Sequence, residues 1–463
     1  MPYERLTAQD TSFLHLESES QPMHVGSVGL FEAGAFFDGS GHFRLDDARR
    51  IVASRLHLVP RFRKKLMEVQ LQQGRPVWVD DESFDLSYHV RLTALPRPGS
   101  EEQLKALMDR LQSQVLDRRR PLWELWFVEG IEGDRVAIIQ KTHHALVDGI
   151  SGVDVATVLL DLEPEPQPVE APPWRPEPAP NPAQLLAETL VERATQPAEM
   201  LRTLRAQLRG PRRLLETAAH VGRAMSAVGT NAPKMPWNAP VSPHRRFEVA
   251  RIDLDHAKAV KAAASCTLND VVLASVTGGL RSFLQSRNEP VDGLVLRAMC
   301  PVSVRSDDER MTLGNRVSAM VVDLPVGEPD TRRRLEALRE ETRQVKESGQ
   351  ALGVEAIISL TEYAAPTLLS LGARLASVAR PVNLGITNVP GPQIPLYCMG
   401  AKMVEAFPYV GIIDNQALMV GVLSYAGQLG FGITGDRDVL PDLHVLAEAV
   451  EKSFAELAEA VAS

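Results

Sequence analysis

Residues 163–182 read EPEPQPVEAPPWRPEPAPNP, and neither a helix nor a central strand can run through them. Proline lacks a backbone N–H, and here it recurs at nearly every second position. The stretch is an extended, semi-rigid connector, so the chain divides into a part before it and a part after it. At 463 residues the chain is too long for one compact core, and two domains are the expectation. We place the first lobe in residues 1–162 and the second in residues 245–463. Residues 163–244 form the linker and a helical crossover, from about Ala183 to Val228, rich in arginine (Arg202, Arg205, Arg209, Arg212, Arg213). A second proline-bearing passage, NAPKMPWNAPVSPHRR, closes the crossover.

Both lobes mix strand and helix signals. HVGSVGLFE (His24–Glu32), ELWFVEG and RVAIIQKTHH read as strands, the last two joined by a turn at EGIEGD. EEQLKALMDRLQSQVL reads as a helix with an apolar face at Leu104, Met108, Leu111 and Val115. In the second lobe RRFEVARIDL, GLVLRAMCPVSV, NRVSAMVVDLP, ALMVGVLSYAG and QLGFGITGD read as strands. Helices are expected at TLNDVVLASVTGGLRSFLQSR, Thr331–Glu347, Val354–Ala379 and LHVLAEAVEKSFAELAEA. The fold class is therefore α/β (α+β): two lobes, each a mixed sheet flanked by helices, joined by a long crossover. Ligands often sit where such lobes meet.

Composition narrows the function. The formal net charge of -9 argues against a nucleic-acid partner, and aromatics at 5% leave few base-stacking platforms. Cys266, Cys300 and Cys398 are far apart and lack CxxC spacing, which argues against a disulfide framework or thiolate zinc site and fits a reducing cytoplasm. The start, MPYERLTAQDTSFLHLESES, has no basic segment followed by an apolar run, so it is not expected to act as a signal peptide. The longest apolar run, YAAPTLLSLGARLASVA, is interrupted by Pro366 and Arg374, so the expected contact with lipid is from one side.

The segment that carries chemistry is QKTHHALVDGI, residues 140–150. On a strand, side chains alternate: Val136, Ile138, Gln140, Thr142 and His144 share one face, and Ala137, Ile139, Lys141 and His143 the other. A strand persisting to its end would point the two histidines apart, poorly placed to chelate one metal, and there is no HExxH. After His144 the chain turns at Gly149 and starts a helix, with Ser151 as N-cap and Asp154 three residues on. From this segment alone two readings stay open: histidines satisfied in core or turn, or a catalytic base at a strand end.

HHALVDG resembles the HHxxxDG pattern of CoA-dependent acyltransferases related to chloramphenicol acetyltransferase and of peptide-synthetase condensation domains. RRRPLWELWFVEG carries a Pro-Leu-Trp element upstream, and SCTLNDVVLASVTGGLR carries Asn-Asp at a helix start. MCPVSVRSDDE, LGNRVSAMVVDLP and NLGITNVPGP come next, in order. Together, from TAQDTSFLHLES into the C-terminal strands, the chain resembles the bacterial wax ester synthase/diacylglycerol acyltransferase family. Thr387 stands where that pattern has Ser, and both carry a hydroxyl.

The resemblance implies an acyl-CoA co-substrate, no permanently bound cofactor and no metal. An alcohol would attack the thioester, with diacylglycerol favoured as acceptor and a long-chain fatty alcohol as runner-up. Two alternatives remain: transfer to an unusual alcohol within the same superfamily and, of another class, a non-catalytic lipid-associated homologue. By the family pattern His144 is the general base and His143 shapes the site. Asp148, with Gly149, holds the turn, and Arg305 is its candidate ion-pair partner. Asn269 is the candidate oxyanion donor, while Asp270 reads equally as a capping box with Thr267. Pro121, Leu122 and Trp123 either line an acyl channel or start a strand and join the core. Asn388 to Pro392, preceded by Thr387, either border the substrate tunnel or form a rigid loop. No GxSxG elbow is present, so direct transfer is expected. The arginine-rich helix would meet anionic lipid or CoA phosphates, or be a solvated face. The implied location is cytoplasmic, peripheral on the inner membrane face or on lipid droplets.

Overall fold

The computed structural model describes residues 3–72, 74–146, 160–165, 170–191, 232–303, 317–348 and 381–462. Asp148, Gly149 and Arg305, the arginine-rich stretch and the expected helix Val354–Ala379 lie outside the described residues.

Two six-stranded mixed sheets carry the structure. The first runs β12(Tyr397–Cys398), β13(Ala401–Val410), β2(His24–Glu32), β7(Arg135–His143), β6(Trp123–Ile131), β5(Val90–Ala94). Only the β5–β6 pair in it is parallel. The second runs β10(Val317–Leu324), β9(Leu296–Ser303), β11(Leu384–Pro390), β14(Leu418–Tyr425), β15(Gln428–Asp436), β8(Arg245–Asp253), with β11 parallel to both neighbours. A small antiparallel sheet, β1(Glu4–Arg5), β4(Val77–Asp80), β3(Lys64–Met67), packs beside the first.

The helices obey their sequence signals. α1(Ala8–Leu16) is capped by Thr7, whose hydroxyl accepts from the Asp10 N–H at 3.0 Å. α2(Leu45–Arg55) precedes α3(Glu101–Gln112), which opens on a Ser100/Gln103 capping box. α3 buries Leu104, Leu107, Met108 and Leu111, while Val115, expected on the same face, lies beyond its end and is exposed. α4(Leu254–Ala263), α5(Leu268–Ser286), α6(Thr331–Glu347) and α7(Leu443–Ala462) cover the second sheet. No single described helix is long and apolar enough to cross a membrane.

The division of the chain at residue 245 does not coincide with the division into sheets. β13, from the last third of the sequence, pairs antiparallel with β2, Tyr409 opposite Gly26 and Phe407 opposite Val28. Upstream, Met235, Trp237 and Val241 of the second proline-bearing passage are already in the core of the second lobe. The Trp237 Nε1–H donates to Asn383 O at 3.0 Å. β13 also lies directly across β15. A Cβ on Gly432 would stand 1.7 Å from Pro408 O, and one on Gly430 2.3 Å from Ala406 O. Glycine is the side chain this crossing admits.

Candidate active site

β7 is central in its sheet, hydrogen-bonded to β2 and β6, so every residue after Arg135 is buried. The strand stops at His143, one residue earlier than continuous alternation requires. The Leu146 N–H donates to His143 O at 2.9 Å, closing a turn, and the His144 N–H donates to Met23 O at 2.8 Å. His144 therefore sits on the turn.

Each histidine meets a different residue of the N-terminal helix segment. The ring of Phe13 on α1 stacks on His144, centroids 3.9 Å apart and planes inclined by 29°. The Nδ1 of His144 is buried with no hydrogen-bond partner among the described residues, and the residue as a whole is half-buried. Burial pushes its imidazole down to about 4, and His143 beside it acts in the same direction. At neutral pH His144 is thus uncharged and able to accept a proton.

His143 is fully buried. Its Nδ1 accepts the Ala145 N–H at 3.0 Å, and its Nε2 lies 3.3 Å from Glu17 Oε1. The same carboxylate oxygen is 3.6 Å from Nε2 of His24, which burial, Lys141, His143 and Arg245 hold neutral, well below its ordinary value. Lys141 donates to Leu111 O at 2.8 Å and to Gln114 O, at the end of α3. Burial pushes its ammonium down to about 8.

Pro121, Leu122 and Trp123 are buried beside the histidine turn. Leu122 O accepts the His143 N–H at 2.9 Å, and Trp123 pairs across the sheet with Thr142. The Trp123 Nε1–H donates to Phe62 O at 2.8 Å, and its ring stacks on His89 at 4.6 Å.

On α5, Asn269 and Asp270 part ways. The Thr267 N–H donates to Asp270 Oδ2 at 2.8 Å, and the Thr342 hydroxyl donates to Oδ1 at 2.7 Å, so both carboxylate oxygens serve the fold. Asn269 is half-buried, with no hydrogen bond to its side-chain amide among the described residues. Thr387 and Asn388 do not open a loop. They lie in β11, paired in parallel with Gly421 and Val422, and the strand runs on to Pro390 opposite Ser424. A parallel neighbour with matched register overrides the local turn preference of Asn-Val-Pro.

Phe13, Glu17 and His24 were invisible as site residues in the sequence, because nothing local ties them to a motif far along the chain. The alternating pattern of β2 and its pairing with β7 is the signal that brings His24 opposite His143.

Two mixed sheets flanked by helices, with a histidine pair at the end of a central strand, define a class: the CoA-dependent acyltransferase and condensation-domain fold. The starter condensation domain of rhizomide synthetase, solved with C8-CoA and Leu-SNAC, shares it at a TM-score of 0.59 and 13% identity, covering 100% of this chain and 95% of that one. Within that class, the chain belongs to the wax ester synthase/diacylglycerol acyltransferase family, and so is an acyltransferase. Residues 6–272 match the family's catalytic domain and residues 313–458 its C-terminal domain. A probable diacylglycerol O-acyltransferase of Mycobacterium tuberculosis is 35% identical over 460 residues, 98% of each chain. An O-acyltransferase of Acinetobacter baylyi is 32% identical over 453 residues, 96% of this chain and 95% of its own. The wax ester synthase/diacylglycerol acyltransferase of Marinobacter aquaeolei superposes at a TM-score of 0.70 with 27% identity, covering 99% of this chain and 100% of that one.

Proposed function

We propose that the protein moves a long-chain acyl group from acyl-CoA to diacylglycerol, forming triacylglycerol, with His144 as general base. The observation that carries this is the state of His144: neutral at physiological pH, held on a turn, with Phe13 against one face of its ring. Its Nδ1 is buried, and we assign Nε2 as the nitrogen that meets the substrate. The alcohol O–H proton goes to Nε2 as the hydroxyl oxygen bonds to the thioester carbonyl carbon. The C–S bond then breaks, and the proton passes to the departing CoA sulfur. The amide of Asn269, without a hydrogen bond among the described residues, is the group we assign to the developing oxyanion.

Direct transfer fits the thiols. Burial pushes Cys300 and Cys398 up to about 12, and Cys266 is raised as well by burial and Asp270, so none is a ready thiolate. We also assign the enzyme to the cytoplasm, working at a membrane or lipid-droplet surface from one side.

The test is the purified protein with palmitoyl-CoA and either diacylglycerol or hexadecanol, with CoA release and the ester product both measured. Triacylglycerol with release of CoA supports the proposal. Ester from hexadecanol alone moves the assignment to wax ester synthesis. No release with any alcohol points to a non-catalytic homologue. A burst of CoA without acceptor contradicts direct transfer.

A further inference from the structure

We propose that Glu17 is a positioning residue for acyl transfer: through His143 it fixes the turn that carries His144. The proposal rests on the reading of His144 as the base.

Glu17 is an ionisable group in a place where a fold rarely keeps one. Its side chain, at the C-terminal end of α1, is 5% exposed. Burial favours the neutral form, but His143 and Arg118 outweigh burial and hold the carboxyl below its usual value. It is therefore a carboxylate. Arg118 grips Oε2 through Nε at 2.9 Å and Nη2 at 2.8 Å, and the same guanidinium donates to Leu14 O at 2.7 Å, so the carboxylate is tied to its own helix. Among the described residues, the other titratable groups facing it are His24 on β2 and Lys141 and His143 on β7, and Arg245 on β8 acts on His24 in turn.

Oε1 is turned toward the histidine turn, which it holds by two routes. His143 Nδ1 accepts the Ala145 N–H, so in the neutral ring the proton resides on Nε2, which makes a 3.3 Å electrostatic contact with Glu17 Oε1 without the alignment of a full hydrogen bond. Glu17 thereby orients the ring that anchors the residue next to His144. In the second route the Met23 N–H donates to Oε1 at 3.4 Å, and Met23 O accepts the His144 N–H at 2.8 Å. Glu17 is thus linked to the backbone on both sides of His144, without touching its ring. A general base must sit within hydrogen-bond reach of its proton, so a shift of the turn of about 1 Å costs about 10²-fold.

The experiment compares Glu17→Gln with Glu17→Leu in the full chain. Glutamine keeps an oxygen for the His143 Nε2–H, whereas leucine fills similar space and offers none. Three quantities are read: kcat and KM for palmitoyl-CoA, the melting temperature, and the pH dependence of His144 modification by diethyl pyrocarbonate, located by peptide mass. The last needs no acyl transfer. E17Q is expected to keep kcat within roughly threefold of the parent, and E17L to lose about 10²-fold in kcat with KM nearly unchanged. The modification profile of His144 shifts in E17L and not in E17Q. Should E17L not fold, His143→Asn serves instead: it keeps an acceptor for the Ala145 N–H, cuts the link to Glu17, and is expected to lose kcat with KM kept. Parental kcat in E17L or H143N, equal losses in E17Q and E17L, or an unshifted profile overturns the proposal. If H144A transfers at the parental rate, the base reading falls, while the E17L profile still reports whether Glu17 positions the ring.

Discussion

The ring of Phe13 closes one face of the His144 imidazole at a centroid distance of 3.9 Å. Burial of the imidazole favours the neutral ring, and the Phe13 ring adds to that burial by keeping water from this face. This sets the direction of the pH effect. His144 titrates near 4 in the folded protein, below its ordinary 6.5, so its base form persists into mildly acidic solution. In Phe13→Ala, water reaches the ring and the cation becomes more favourable. The acid limb of kcat/KM should then move up toward pH 6.5, while Phe13→Leu, which keeps an apolar cover, holds it low. A pH–rate profile of the three proteins checks this.

His144→Ala removes the proposed proton acceptor from a half-buried turn. General-base catalysis contributes about 10²–10⁴-fold, and loss of that order is expected. The fold should persist, because the turn is held by the His144 and Leu146 backbone N–H groups rather than by the lost ring. CoA release and far-UV circular dichroism, measured together, decide it.

Asp109 supplies a prediction about stability. It sits on α3 and accepts the Phe247 N–H of β8 at 2.7 Å, and burial pushes its carboxyl up to about 7. A carboxyl raised in the folded state makes its stabilising contribution fully below its unfolded value of 3.8 and loses it as pH rises through 7. Asp109→Asn keeps an oxygen for Phe247 and carries no charge. It should match the parent near pH 4 and be more stable at pH 8, as read by urea denaturation at the two pH values.

Gly432→Ala tests the crossing of the two sheets. The added methyl would meet Pro408 O at 1.7 Å, backbone against backbone, with no flexible side chain to yield. A destabilisation above about 4 kcal/mol is expected, in the range reserved for specific structural conflicts. A melting curve with an unchanged midpoint would show that β13 and β15 can separate without loss.

Sequence signals were readable wherever structure is set by neighbours along the chain. Thr331–Glu347 has the bounds that its pattern gives, and β2 coincides with His24–Glu32. The Thr267/Asp270 capping box is legible from spacing alone, and the structure forms both of its bonds. β13 was not legible: AKMVEAFPYV mixes charges with Pro408, and what makes it a strand is β2, nearly the whole chain away. The site divides likewise. The histidine pair announces itself, and its place at the end of a strand is implied by alternation. The partners of the pair are not, since Phe13 and Glu17 reach it only through the docking of α1. That the strand ends before His144 depends on hydrogen bonds to Met23 and Leu146, which no periodicity encodes.

The loan of β13 to the first sheet has a consequence for biosynthesis. On the ribosome, the strands up to β7 emerge early, but β2 keeps one edge unpaired until residue 410 has been made. An unpaired edge is an adhesive surface, so the nascent chain passes through a long interval in which its first half is unfinished. A gene truncated after the catalytic-domain match at residue 272 would leave the histidines in place and the sheet that holds them short of an edge. The second half of the message is thus required to complete the first half of the enzyme.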